Sequence, residues 1–96
     1  MRIGALRIKL HLPQSFSLKE KRRVIRSIEG KLRNGFNVAI SEVDDKELWQ
    51  VSTIGVVCIC DSGREARETL ERVLRYIEGR RGEVEVLDYE IEVIPF

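Results

Sequence analysis

Residues 3–12 read IGALRIKLHL and residues 17–35 read SLKEKRRVIRSIEGKLRNG. In the first stretch Leu6, Ile8, Leu10 and Leu12 fall on one face and Arg7, Lys9 and His11 on the other, the period-two pattern of a strand with one buried side. Pro13 lacks a backbone donor and stops that strand. In the second stretch Ser17, followed three residues later by Glu20, has the spacing of a capping box and opens a helix. Helical periodicity then gathers Val24, Ile25, Ile28 and Leu32 on one face and Lys19, Arg22, Arg23, Arg26 and Arg33 on the opposite one. Asn34-Gly35 ends the helix, with Gly35 expected in the left-handed conformation common just past a C-terminus.

Outward from this strand–helix pair, residues 36–44 (FNVAISEVD) predict a strand, Asp45-Lys46-Glu47 a connection, and residues 48–60 (LWQVSTIGVVCIC) a longer strand, together a hairpin. Ser62 and Glu65 repeat the capping-box spacing, and Ala66, Leu70, Val73, Leu74 and Ile77 form the apolar stripe of a second helix reaching about residue 78. The outer face of that helix mixes charge signs and predicts a solvated surface. In the last strand, residues 83–96, Leu87, Tyr89, Ile91 and Val93 lie on one side and Asp88, Glu90 and Glu92 on the other. The order βαββαβ within 96 residues predicts one α+β domain over residues 1–96. It is the ferredoxin-like split βαβ, a four-stranded antiparallel sheet of order 4-1-3-2 with both helices on one face. On the helix-free face Arg7, Lys9 and His11 should meet Asp88, Glu90 and Glu92 as cross-strand ion pairs. The other half of that face carries Val43, Val57 and Ile59, a partly apolar surface whose simplest occupant is a second copy of the chain, a homodimer.

Charge is unevenly distributed along the chain. The first 34 residues hold ten Lys or Arg against two acids, a formal +8, and the remaining residues hold seven against fourteen, a formal −7. No apolar run approaches the ~20 residues of a membrane span. The amino-terminal segment interrupts its hydrophobes with charge, unlike a secretory signal, so a soluble cytoplasmic protein without membrane partners is expected. Cys58 and Cys60 share a strand face and pair badly as a disulfide; with His11 the sole histidine, neither a metal nor another cofactor is expected. Arg outnumbers Lys twelve to five while Asn and Gln total four, a composition that fits a thermophilic source.

The topology brings the end of strand one, the start of helix one and the hairpin connection to the same end. Ser17, Lys21, Glu42, Asp44, Trp49 and Gln50 gather there. Lys21 falls on the apolar side of its helix, and Glu42 and Asp44 share parity with Val38 and Ile40, so Lys21 or Arg22 should pair with Glu42 or Asp44 near Trp49. One reading is an ion-pair cluster closing the core; the other is a ligand or partner site.

The runs SLKEKRR (17–23), FNV (36–38), SEVD (41–44) and LWQ (48–50), in this order and spacing, resemble the bacterial YlxP-like family over essentially the whole chain. The resemblance implies a small ferredoxin-like domain of unknown function. Its gene context, often beside transcription-termination, translation-initiation and ribosome-binding factors, implies a role in ribosome maturation or translation. It brings no catalytic residues.

From the residues themselves, the stripe Lys19, Arg22, Arg23, Arg26 and Arg33 suits phosphate contacts to RNA or a ribosomal particle. The central strands offer no aromatics on which bases could stack, so phosphate and shape recognition is the expected mode. Gly79-Arg80-Arg81-Gly82 matches the GXXG of KH domains but joins a helix to a strand; it reads as a helix stop, at the end of the molecule away from the start of helix one. An acylphosphatase-like enzyme would need a Gly-rich loop where this chain has Leu12-Pro13-Gln14-Ser15-Phe16, and the Gly-rich ligand turn of an ACT-like module is not evident; Ser15, Ser17 and the helix N-terminus can still hold an anion, so a small-anion- or small-molecule-binding regulatory domain stands as a lesser alternative, beside a protein-interaction module using the open sheet face. The expectation is a non-enzymatic protein.

Overall fold

The computed structural model describes all 96 residues. The elements run β1 (Arg2–His11), α1 (Leu18–Gly35), β2 (Ala39–Asp44), β3 (Val51–Cys60), α2 (Gly63–Glu78) and β4 (Glu85–Pro95). All pairings are antiparallel and the sheet order is β2-β3-β1-β4, the 4-1-3-2 arrangement read from the opposite edge. This is the ferredoxin-like fold, with β1 and β3 central because they carry the densest apolar alternation.

One core forms between the sheet and the two helices. Leu6, Ile8 and Leu10 from β1, Ile54, Val56 and Cys58 from β3, Ile25, Ile28 and Leu32 from α1, and Ala66, Leu70, Val73 and Ile77 from α2 are all buried in it. Gly4 lets α2 approach β1: a Cβ there would stand 2.9 Å from Cys58 Sγ and 3.0 Å from Leu70 Cδ1. Both helix starts are capped as the spacing predicts, with Ser17 Oγ accepting from Glu20 N–H and Ser62 Oγ from Glu65 N–H. Glu20 completes its side of the motif one residue early, accepting at 2.6 Å from Phe16 N–H.

Several expectations need correction. Gly35 is the last helical residue and not left-handed; α1 stops instead by passing into extended backbone at Phe36, whose N–H bonds to the Leu32 carbonyl. The only glycine with positive φ is Gly82, at +86°. β3 begins at Val51, so Leu48, Trp49 and Gln50 belong to the β2–β3 loop and not to the strand. In β2 the pairing jumps from Glu42–Ile54 to Asp44–Thr53, which leaves Val43 as the extra residue of a β-bulge. The bulge turns Asp44 to the helix-free face and overturns its simple parity assignment. A second irregularity, at Lys9/Leu10, leaves Leu87 unpaired and exposed where alternation placed it in the core.

α2 ends, and β4 begins, at the same end of the sheet at which α1 starts. Gly82 and Glu83 flank a cleft with Glu20, Arg23 and Val24, and the Arg80 guanidinium donates to Ser27 Oγ at 3.1 Å. The Arg80-Arg81 turn therefore adjoins α1, contrary to the expectation that it lies at the far end.

Candidate functional site

Lys21 is the largest fully buried side chain, with no solvent exposure. It enters the core end of α1 and reaches into the β2–β3 loop. Its Nζ donates to the carbonyls of Asp45 (2.8 Å), Lys46 (3.2 Å) and Val51 (3.0 Å) and lies 2.9 Å from Glu42 Oε2. Four oxygens thus surround a group with three protons, an arrangement that compensates a buried charge. Glu42 Oε2 also accepts from Ser52 Oγ at 2.7 Å.

Other bonds extend this anchor. Asp45, in the left-handed region at φ 60°, accepts from Thr53 Oγ1 through Oδ2 at 2.6 Å, and its carbonyl accepts from Leu48 N–H. Gln50 Nε2 donates to the Ser15 carbonyl at 2.9 Å and its own carbonyl accepts from Leu12 N–H, which ties the hairpin loop to the β1–α1 loop. Of the residues the sequence gathered here, Lys21 and Glu42 pair directly, Gln50 ties the adjoining loops through Ser15, and Ser17 caps α1. Asp44 does not join it: with Arg7, Lys9, Asp45, Thr53 and Asp88 it lines a cavity of about 460 Å³ on the helix-free face. Trp49 stands outside as well, 55% exposed.

The basic stripe is present on α1. Lys19, Arg22, Arg23, Arg26 and Lys31 are exposed, and none has a carboxylate within 4.0 Å. Arg33 differs: its guanidinium donates to the Ile40 carbonyl at 3.0 Å and lies 3.8 Å from Glu29, so it fastens α1 to β2. Arg80 is also committed, to Glu83, Tyr76 and Ser27. Burial works against its charge, but the bonds to Glu83 and Tyr76 outweigh that and hold its pKa above the ordinary value. Arg81 is exposed beside it.

On the helix-free face Arg7 pairs with Glu90 as predicted, whereas His11 meets Glu85 at 3.4 Å because the β4 irregularity shifts the register. Lys9 is opposite Asp88 in register without forming an ion pair. The lower half of the face is apolar, with Val43, Val57 and Ile59 exposed and Val43 lying over Gly55.

Sequence reasoning missed two exposed hydrophobes at the anchored end, Leu48 (49%) and Phe16 (66%). Phe16 precedes the N-cap, where an apolar residue ordinarily packs against the fourth helical position. That position is Lys21, which turns inward, so the ring is left in solvent. The inward placement of Lys21 was already legible from its helical angle, and carried to the N-cap it marks Phe16 as lacking its usual partner.

Over 62 residues the chain is 39% identical to the uncharacterized protein YlxP of Bacillus subtilis (strain 168), an alignment covering 65% of this chain and 67% of that protein. Among solved structures, the de novo designed protein Foldit4 superposes with a TM-score of 0.53 at 18% identity, over 99% of this chain and 97% of that one, a likeness of fold alone. The family described as "Protein of unknown function (DUF503)" matches residues 3–91, and with YlxP as a relative the chain belongs to this YlxP-like family.

Proposed function

We propose that the protein is a non-catalytic RNA-associated factor that docks on the phosphate backbone of an RNA or ribosomal particle through the outer face of α1. The carrying observation is the row Lys19, Arg22, Arg23 and Arg26, exposed on one face of α1 with no acid in ion-pair range. What sets the row apart is its single sign along one helix face, whereas α2 interleaves Arg64, Arg67, Arg72 and Arg75 with Glu65, Glu68, Glu71 and Glu78. Each phosphate neutralised by such a row releases condensed counterions, so affinity falls steeply with salt. Arg81 extends the same end of the ridge.

The test is co-sedimentation with ribosomal particles across a salt series, using wild type and the R22E/R23E/R26E variant. Association that fades with salt and is lost in the variant, with the melting temperature within a few degrees of wild type, supports the reading. Retained association in the variant, or none by the wild type at low salt, sinks it.

A second reading rests on Val43, Val57 and Ile59, an apolar patch on an otherwise charged sheet face. It supports self-association through that face, alongside the α1 ridge and not in place of it.

A further inference from the structure

We infer that the Lys21-anchored loop, tied to the β1–α1 loop that carries Phe16, is a platform that presents Trp49 and Leu48 to unpaired bases of the RNA whose phosphates meet α1. This deepens the proposed function and rests on it. It replaces recognition of helical shape with recognition of single-stranded segments.

Three observations carry it. Phe16, Leu48 and Trp49 are all exposed, and the bonds from Gln50 to Ser15 and from Leu12 to Gln50 bring the loops that carry them together. The β1–α1 loop runs into the first turn of α1, where Lys19, Arg22 and Arg23 begin the basic ridge, and the β2–β3 loop is fastened to that same turn through Lys21. Three acids of the neighbourhood are directed away, Glu42 onto Lys21 and Asp44 and Asp45 to the cavity on the opposite face, while Glu20 is fastened to Phe16 N–H as part of the helix cap. Glu47 remains exposed on the loop.

A tryptophan in solvent contributes little to folding, yet its loop is held by a fully buried lysine bonded to three of the loop's own flanking carbonyls. Such a loop has lost its conformational freedom before any ligand arrives, which is what a stacking platform requires. Stacking on aromatic side chains with cations tracking the backbone is the general mode of single-strand recognition, and it tolerates any base because every base has a π-face. The absence of aromatics on the sheet therefore does not exclude stacking; the platform is at the loop end.

Trp49 is the only tryptophan, so its fluorescence reports on the platform directly. The probe is a single-stranded uridine oligomer of about twelve nucleotides, compared with an RNA duplex of the same length. Wild type should bind the single strand more tightly than the duplex, with quenching of Trp49. Trp49→Ala should lose roughly 5- to 100-fold in single-strand affinity while Trp49→Phe keeps most of it, with melting temperatures unchanged. Duplex preference, or single-strand binding indifferent to Trp49→Ala but abolished by R22E/R23E/R26E, overturns the platform and leaves the ridge standing. Binding of neither RNA overturns both, and Trp49-dependent capture of a protein without RNA binding would mean that the tip serves a protein partner instead.

Discussion

Lys21 Nζ and Glu42 Oε2 sit 2.9 Å apart beneath the β2–β3 loop, the lysine fully buried and the carboxylate largely so. Removing the cation leaves the Glu42 carboxylate with only the Ser52 hydroxyl and takes a donor from three backbone carbonyls, of which that of Asp45 keeps the Leu48 N–H. Lys21→Ala should cost ~3–5 kcal/mol in urea unfolding. The double variant K21M/E42L removes the charge imbalance but does not restore the lost bonds to the carbonyls, so it should recover only part of that loss. Full recovery would show that the carbonyl bonds contribute nothing net.

Gly4 is a packing requirement of a different kind. A methyl there meets Cys58 Sγ at 2.9 Å and Leu70 Cδ1 at 3.0 Å, so Gly4→Ala should destabilise by ~1–3 kcal/mol. Because one obstacle is a single sulfur atom, adding Cys58→Ala should make the pair less costly than the sum of the two single changes. Additive costs in a double-mutant cycle would place the strain on Leu70 instead.

Burial, and after it the neighbouring Cys60, pushes the Cys58 thiol above its ordinary value of 9.0. The unfolded chain ionises this thiol first as pH rises. Stability linked to it is therefore fully present below the ordinary thiol value and is lost as pH climbs from there through the folded-state value. Urea midpoints measured from neutral to strongly alkaline pH should fall more for wild type than for Cys58→Ala. Parallel curves would refute the linkage.

Val57 tests the sheet face. It is exposed and pairs with Ala5 on one side and Ala39 on the other, at the centre of the apolar half of that face. If two copies associate there, Val57→Lys should convert a dimer into a monomer in sedimentation equilibrium with little change in melting temperature. A wild type already monomeric at high concentration would end the idea.

Much of this was legible from side-chain period alone. The alternation of residues 3–12 and the stripes of the two helices are long and regular, and Lys21 stood out as a cation on an apolar face. Asp44 was misplaced because a bulge adds one residue without any mark in the pattern, and parity arguments fail by a whole face when that happens. Leu48 and Trp49 looked like strand residues because their composition is strand-like. Their conformation is set instead by Lys21, more than twenty positions earlier, and a local window cannot see such a bond. The Arg80-Arg81 turn was assigned to the wrong end although the order of elements already determines that α2 finishes where α1 starts.

The one-residue bulge at Val43 has an electrical consequence. By turning Asp44 toward the face that also carries Asp88, Glu90 and Glu92, it helps to separate the molecule's charges into a cationic helix side and an anionic sheet side. A body with a net charge of only +1 but such a separation feels little pull from a distant polyanion, yet a strong torque once near it. It would rotate helix-first before touching, so the fold selects an angle of approach that its isoelectric point does not disclose.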